Sequence, residues 1–266
     1  MRPMALKKET NIYMLSVLVC TKNEIHNIED CIKSIKFADE IVVIDDFSTD
    51  GTDKKALELG AKVYSRSLNG DFAAQRNYGI SLCGCNWILI LDADERVPEK
   101  LAEKILTITN SSSSENICYS LQRESHFHHY KATHGVVGRD WVKRLAPKKG
   151  MKYVGKVHEH LETPYPEKKL IAPPMWHYTY DNWDAYFKKF DSYTKLMAQQ
   201  NFEKEKKANF VFDILLRPWF GFFKMYFLKG GILDGKLGFI LSVNHFFYVM
   251  TKYVRLYYLN RHNGKL

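Results

Sequence analysis

The run Ile88-Leu89-Ile90-Leu91 ends on Asp92-Ala93-Asp94-Glu95, an uninterrupted apolar stretch stopped by two carboxylates one residue apart. With no polar alternation, the stretch leaves no face for water. It reads as a strand covered on both sides, central in a parallel sheet. In open α/β sheets ligands gather outside the carboxyl ends of the strands. Asp92 and Asp94 therefore stand where a metal and a charged substrate are received. Their hard oxygens suit Mg²⁺ or Mn²⁺, an ion that commonly completes its shell with phosphate oxygens.

The residues around this strand alternate strand and helix patterns. Leu15–Cys20 is a β-rich apolar run. Asn23 is placed to cap a following helix through its side-chain oxygen, with Ile25, Ile28, Ile32 and Ile35 as the buried stripe. Ile41–Ile44 is a second strand, Ala61–Ser65 a third, and Asp71–Leu82 a helix leading into Trp87–Leu91. Pro98 opens another helix. Such alternation predicts right-handed βαβ crossovers and an α/β doubly wound, mostly parallel sheet.

Asn110–Ser114 breaks the pattern as a loop between two halves of the domain, and Tyr165–Pro174 reads as a connector without period. The expected organisation is an N-terminal extension over 1–13, a first half over 14–115, a second half over 116–181, and a helical appendage over 182–266. The apolar run Ile12–Cys20 leads straight into charge rather than a cleavage site, so it reads as a strand and not a leader. Five cysteines, an odd number without zinc spacing, imply reduced thiols in a cytosolic protein.

The net charge of +9 is concentrated: residues 182–266 hold 14 Lys and Arg against 6 Asp and Glu. The same region is rich in aromatics. Asn209–Leu228 and Phe239–Tyr258 are strongly apolar, yet Asp213, Arg217, Lys224, Lys252 and Arg255 interrupt them, short of the roughly 18 charge-free residues of a spanning helix. Two readings fit this composition, a helical subdomain covering the sheet with its aromatics as core and an amphipathic appendage on an anionic membrane surface. Both are expected together, one face packed inward and the other on the bilayer. No nucleic-acid reader motif accompanies the charge, which argues against that partner.

Four clusters fall at strand ends or on one helix: Thr21-Lys22-Asn23-Glu24; Asp45-Asp46-Phe47-Ser48-Thr49-Asp50-Gly51-Thr52; Gln75-Arg76-Asn77; and Asp92-Ala93-Asp94-Glu95. Together and in this order they resemble the family 2 glycosyltransferases of the GT-A type, which use nucleotide-sugar donors. Asp92 to Arg96, Val157 to Glu159 and Gly230 to Gly235 further resemble bacterial transferases that add glucose to the lipopolysaccharide inner core.

The resemblance implies roles that the chemistry supports. Thr21, Asn23 and Glu24 open the nucleotide-sugar site. Asp45 or Asp46 accepts the imide N–H of uracil while the other caps a helix. Arg76, beside Asn77, neutralises the diphosphate. Asp92 meets the ribose or the metal, and Asp94 is the principal metal ligand, with His177 as a late ligand or diphosphate contact. Glu159 is the base that removes the acceptor proton during inverting transfer, and His158 and His160 help position the acceptor or diphosphate. His126, His128 and His129 read as a polar loop rather than a zinc site.

The expected function is an inverting, metal-dependent transfer of a sugar, glucose in the first instance, from a UDP-sugar donor to a lipid-anchored saccharide acceptor. The place is the inner face of the cytoplasmic membrane. Two alternatives stand beside it: transfer to another acceptor such as capsule, polysaccharide or protein, and a phosphatase of haloacid-dehalogenase type. The latter motif wants Thr or Val where this chain has Arg96, and leaves Asp45, Asp46 and Arg76 unexplained. A third class, an inactive assembly protein on the same fold, is opposed by the presence of Asp92, Asp94 and Glu159.

Overall fold

The computed structural model describes residues 14–111, 116–127, 130–155, 159–180 and 183–264. The extension over 1–13, His128, His129, Val157 and His158 thus lie outside the described residues. The chain forms two compact units. One takes the residues up to Gln122 with Trp141–Met175, the other Arg123–Asp140 with Trp176–Leu266.

The chain order opens β1 (Leu15–Thr21), α1 (Ile25–Ser34), β2 (Glu40–Asp45), α2 (Thr52–Glu58), β3 (Lys62–Ser65), α3 (Phe72–Leu82) and β4 (Trp87–Asp92). It continues with β5 (Glu95–Arg96), α4 (Glu99–Thr109), β6 (Cys118–Phe127), β7 (Tyr130–Ala132), β8 (Asp140–Pro147), β9 (Lys152–Val154), β10 (His160–Glu162) and β11 (Glu167–Lys169). In the first unit β3, β2, β1 and β4 lie side by side and parallel, followed by β8, which runs antiparallel to β4. This is the doubly wound, mostly parallel sheet expected. The register sets Thr21 beside Asp45 and Cys20 beside Asp92, so three of the four clusters reach one edge of the sheet.

Strand periodicity explains the two-layered core. Val17, Val19, Val43, Leu89 and Leu91 face a cluster with Ile28 and Ile32 of α1 and Leu101 and Ile105 of α4. Leu18, Val42, Ile44, Ile88 and Ile90 face the opposite cluster with Ala73 and Ile80 of α3. Ile88 to Leu91 are each fully buried, and such side chains contribute about 1.5–3 kcal/mol apiece before conformational entropy is charged. Asp71 caps α3 by accepting the Ala74 N–H at 2.8 Å. Gly79 lets that helix press on the sheet: a Cβ there would meet Leu18 Cδ2 at 2.8 Å and Ile44 Cγ1 at 3.0 Å.

Two local expectations in the first unit are corrected. Asn23 does not cap α1: it sits at φ 54°, the cap position is Glu24, and no side chain of the cap residue bonds the helix start. The segment Tyr165–Pro174 is more than a connector, because β11 within it pairs parallel with β6, Glu167 opposite Cys118. Charged residues without alternation gave no strand signal there.

The second unit holds β12 (Met175–Tyr180) from Trp176 onward, α5 (Trp183–Glu203), a π-helical stretch Phe210–Leu216, α6 (Arg217–Phe223), a second π-helical stretch Lys224–Leu228, a short 3-10 turn Gly231–Asp234, and α7 (Gly235–Arg261). Phe127, Ala132, Tyr186 and Leu241 form one buried cluster, and Ala198, Leu256 and Leu259 another. His126 lies on β6 rather than in a loop, its ring 5.4 Å from those of Trp176 and Tyr178. The Gly230 to Gly235 segment is a packing device. Asp234 Oδ2 accepts the N–H groups of Thr133 and His134 at 3.1 and 2.9 Å, and a Cβ on Gly231 would stand 2.8 Å from the Met225 carbonyl oxygen.

Candidate active site

The turns after β1 and β2 are laced into one body. The Asn23 N–H donates to Ser48 Oγ at 2.8 Å, and Asn23 Oδ1 accepts the Thr49 N–H at 2.8 Å. The Glu24 N–H donates to Thr52 Oγ1 at 2.9 Å. Asp50 supplies the missing cap of α1, taking the Ile25 N–H on Oδ2 at 3.1 Å, while its Oδ1 takes the Thr52 N–H at 3.0 Å. Orphan donors at two helix starts are thus satisfied by one carboxylate.

Both acids of the Asp45-Asp46 pair are buried and engaged. Asp45 accepts from the Ser48 N–H at 2.8 Å and from the Ser48 hydroxyl. Asp46 accepts from Lys22 Nζ at 2.7 Å and from the Leu68 N–H at 3.0 Å. Burial pulls the Asp46 carboxyl upward, but Lys22 and the Leu68 N–H outweigh it and hold it below its ordinary value. Thr21, at the end of β1, has a buried hydroxyl with no hydrogen-bond partner among the described residues. Phe47 is 61% exposed at φ 50° between these acids and Ser48.

At the end of β4 an arginine pair grips the carboxylates. Arg76 Nη2 donates to Asp92 Oδ1 at 2.7 Å, and Arg76 Nη1 donates to Glu159. Arg144, on β8, donates through Nη2 to Asp92 Oδ2 at 2.8 Å and to Glu95 Oε1 at 2.6 Å. Burial alone would raise the Asp92 carboxyl, yet Arg144 and Arg76 hold it far below the usual carboxylate range. Arg144 is in turn pushed well above its ordinary value, because Asp92 and Glu95 overcome the cost of its burial. The Asp92 N–H also donates to Glu95 Oε2 at 3.0 Å, which fixes the strand end. Among the described residues, the Nε of Arg76 and of Arg144 are buried without a partner.

The supports of this cluster are local. The ring of Tyr153 lies 5.2 Å from the Arg76 guanidinium. Asn77 is paired both ways with the Tyr153 main chain, donating to its carbonyl and accepting its N–H, each at 2.8 Å. It therefore locks β9 to α3. Arg96 is buried, donating to the Ala93 carbonyl at 2.8 Å and to Asn27 Oδ1 at 2.9 Å, while Asn27 Nδ2 donates to Glu24 Oε2 at 2.8 Å. This chain of bonds ties the Asp92–Asp94 turn to the first turn.

Arg144 and Tyr153 carry weight in the site and were not singled out by the sequence, while Glu95 and Asp50 were named only as members of their clusters. The one signal for Arg144 is an arginine followed by Leu145-Ala146 inside an otherwise strand-like run. His160 is exposed on β10, 3.3 Å from Glu162. His177 lies half-buried on β12 of the second unit. Among the described residues no three His, Cys, Asp or Glu converge as a metal cage. Asp92 and Asp94 are two half-buried carboxylates at a strand end. Such a partial donor set suits a hard divalent ion that takes its remaining ligands from phosphate and water.

The ends of the parallel strands thus gather acids, an arginine pair and, opposite them, a further carboxylate. The family model for glycosyl transferase family 2 matches residues 16–155, more than half of the chain, and the chain belongs to that family. An uncharacterized glycosyltransferase of Rickettsia felis is 26% identical over 254 residues, 91% of this chain and 88% of its own. The lipopolysaccharide core biosynthesis glycosyltransferase LpsC of Rhizobium meliloti is 25% identical over 249 residues, 91% of this chain and 92% of its own. Among solved structures, glucosyl-3-phosphoglycerate synthase from Mycobacterium tuberculosis, with Mn²⁺, UDP and phosphoglyceric acid, is 22% identical with a TM-score of 0.33, covering 44% of each chain. TarS of S. aureus is 14% identical with a TM-score of 0.44, covering 70% of this chain and 39% of its own. The chain thus spans less than half the length of these solved proteins.

Proposed function

We propose that this glycosyltransferase moves glucose, with inversion, from UDP-glucose to a lipopolysaccharide core saccharide at the inner face of the cytoplasmic membrane. The observation that carries the reading is Arg76, held between Asp92 and Glu159 at the sheet edge. It couples a site for diphosphate charge to a carboxylate fit to accept a proton. The LpsC relative supports the choice of acceptor.

In this reading one carboxylate of the Asp45–Asp46 pair accepts the uracil imide, in a turn kept rigid by Asn23 and Asp50. Arg76 and Arg144 offer charge-assisted hydrogen bonds to the diphosphate, and their buried Nε groups add donors already stripped of water. Asp92 stays ionised throughout, because two guanidinium groups face it. Asp94 and Asp92 would hold Mg²⁺ or Mn²⁺, which stabilises the charge on the departing diphosphate when bound. Glu159 takes the proton of the acceptor hydroxyl as that oxygen attacks the anomeric carbon from the face opposite the leaving group. Arg76 restrains Glu159 in the free protein. A diphosphate that draws Arg76 toward itself releases Glu159 for the acceptor.

The test is a calorimetric donor screen in the presence of Mn²⁺, followed by mass analysis of core saccharide incubated with the best donor. UDP-glucose is expected to bind, and the product to gain one hexose. Asp94→Ala is expected to keep its melting temperature and lose metal-dependent donor binding. UDP-glucose failing to bind would overturn the donor assignment, and wild-type metal dependence in Asp94→Ala would overturn the ligand assignment.

A further inference from the structure

The stretch from Phe210 to Leu233, all within the second unit, is amphipathic in the wrong sense for water. Its buried positions are Asp213, Ile214, Pro218, Gly221 and Gly231. A Cβ on Gly221 would stand 3.4 Å from both His245 Cδ2 and Val249 Cγ2, so α6 faces α7 at Gly221 with room for little more than a methyl group. The outward side carries the large apolar groups. Phe212 is 66% exposed, Leu216 53%, Trp219 57%, Phe220 64%, Phe223 53% and Leu228 75%. A surface helix in water places these side chains inward, and contiguous apolar patches of this kind mark docking surfaces.

The charges on the same stretch select the occupant. Its acids are turned inward: Asp213 is bonded to the Asn209 N–H at 2.8 Å and to Arg217 Nε at 2.8 Å, and Asp234, just beyond, is bonded to Thr133 and His134. The outward ionised groups are Lys224, Lys229 and Arg217, all exposed, Arg217 being also the partner of Asp213. A second copy of the chain docking by the same face would bring these cations against one another. An anionic lipid surface satisfies them and receives the aromatics together. No helix among the described residues is long and apolar enough to cross a membrane. The 19 residues from Phe210 to Leu228 would extend about 28 Å at ordinary helical rise, lying along a leaflet rather than through it.

We propose that Phe210–Leu233 is an in-plane anchor, its aromatic side sunk into the acyl boundary of an anionic leaflet and Arg217, Lys224 and Lys229 at phosphate level. This deepens the functional reading above and rests on it only in taking the acceptor to be lipid-borne.

The experiment uses the full chain without substrates and vesicles of phosphatidylethanolamine with phosphatidylglycerol in equal parts, against vesicles of phosphatidylcholine alone. The protein is expected to co-sediment with the anionic vesicles and to release as salt is raised. The triple variant Trp219→Gln, Phe220→Gln, Phe223→Gln is expected to bind at least about tenfold more weakly, since each loses buried apolar area. Lys224→Glu with Lys229→Glu is expected to weaken binding to the anionic vesicles selectively. As a readout that needs no destabilising change, brominated lipid is expected to quench wild-type emission more than that of Trp219→Phe.

Absence of vesicle binding, equal quenching of wild type and Trp219→Phe, or a dimer that dissociates in the triple variant would each overturn the anchor. Transfer to delipidated core saccharide with no vesicle binding would sink the anchor and leave the transferase reading standing. Vesicle binding without transfer would do the reverse.

Discussion

At the scale of single residues the site is a contest for Arg76, which holds Asp92 and Glu159 at once. Glu159→Gln keeps the shape and hydrogen-bond reach of the side chain but removes its proton affinity. Donor affinity is expected to stay near wild type while kcat falls by about 10²–10⁴, the usual range for a lost general base. Steady-state UDP release and donor calorimetry on the same preparation separate these terms, and unchanged turnover would place the base elsewhere. Asp92, Asp94, Arg76 and Glu159 were legible as candidates because each stands in a short motif beside a strand or helix signal. Arg144 was not, and Glu95 was named only as part of its motif, without its partner. Their pairing depends on the antiparallel register that sets Leu145 opposite Leu89, a contact between segments more than fifty residues apart that no local pattern encodes.

At the scale of elements, the turn after β2 caps the helix after β1. Asp50 takes donors from both helix starts, so its loss should exceed that of an ordinary cap. Asp50→Ala is expected to cost about 1–3 kcal/mol, scaled from the 0.5–2 typical of one N-cap, with Asp50→Asn milder. Urea denaturation measures the stability, and donor calorimetry is expected to show weaker binding because Ser48 and Thr49 are held by the same lace. A variant as stable as wild type would show that water replaces the bond. The sequence placed α1 correctly and its cap wrongly. Local rules look for a capping side chain within the helix's own first residues, and this one arrives from another loop. The β1, β2 and β4 strands were legible for the opposite reason, since their burial is written in continuous apolar runs.

At the scale of the whole molecule, acid should be the sensitive direction. Asp46, Asp50, Asp92 and Glu40 are all held below their ordinary values in the fold, against the upward pull of burial. Each therefore adds stability that is present above the unfolded carboxylate value, about 4, and is lost as pH falls through the lower folded value. Urea midpoints are expected to hold from pH 7 down to that value and then drop steeply. Asp92→Asn is expected to be less stable at pH 7 and to lose less on acidification. A midpoint insensitive to acid in the wild type would contradict the pairing described. The division into two units was hardly legible, because β6 and β8 each begin in one unit and end in the other. That the C-terminal helices have an inward and an outward face was expected from composition, but which side chains take each face was hidden. Over 210–228 apolar residues fall on every side, and only the fold reveals that Asp213 points in and Trp219 points out.

Gly79 stands one helical turn after Arg76, on the side of α3 that presses against Leu18 and Ile44. A methyl group there must displace the Leu18 side chain or lift the helix from the strands, and a lifted helix carries the guanidinium with it. A substitution that touches neither donor nor acceptor would then surface in an activity screen as a catalytic lesion. Tolerance mapping of this chain should accordingly flag a hydrogen-only position as if it were chemistry.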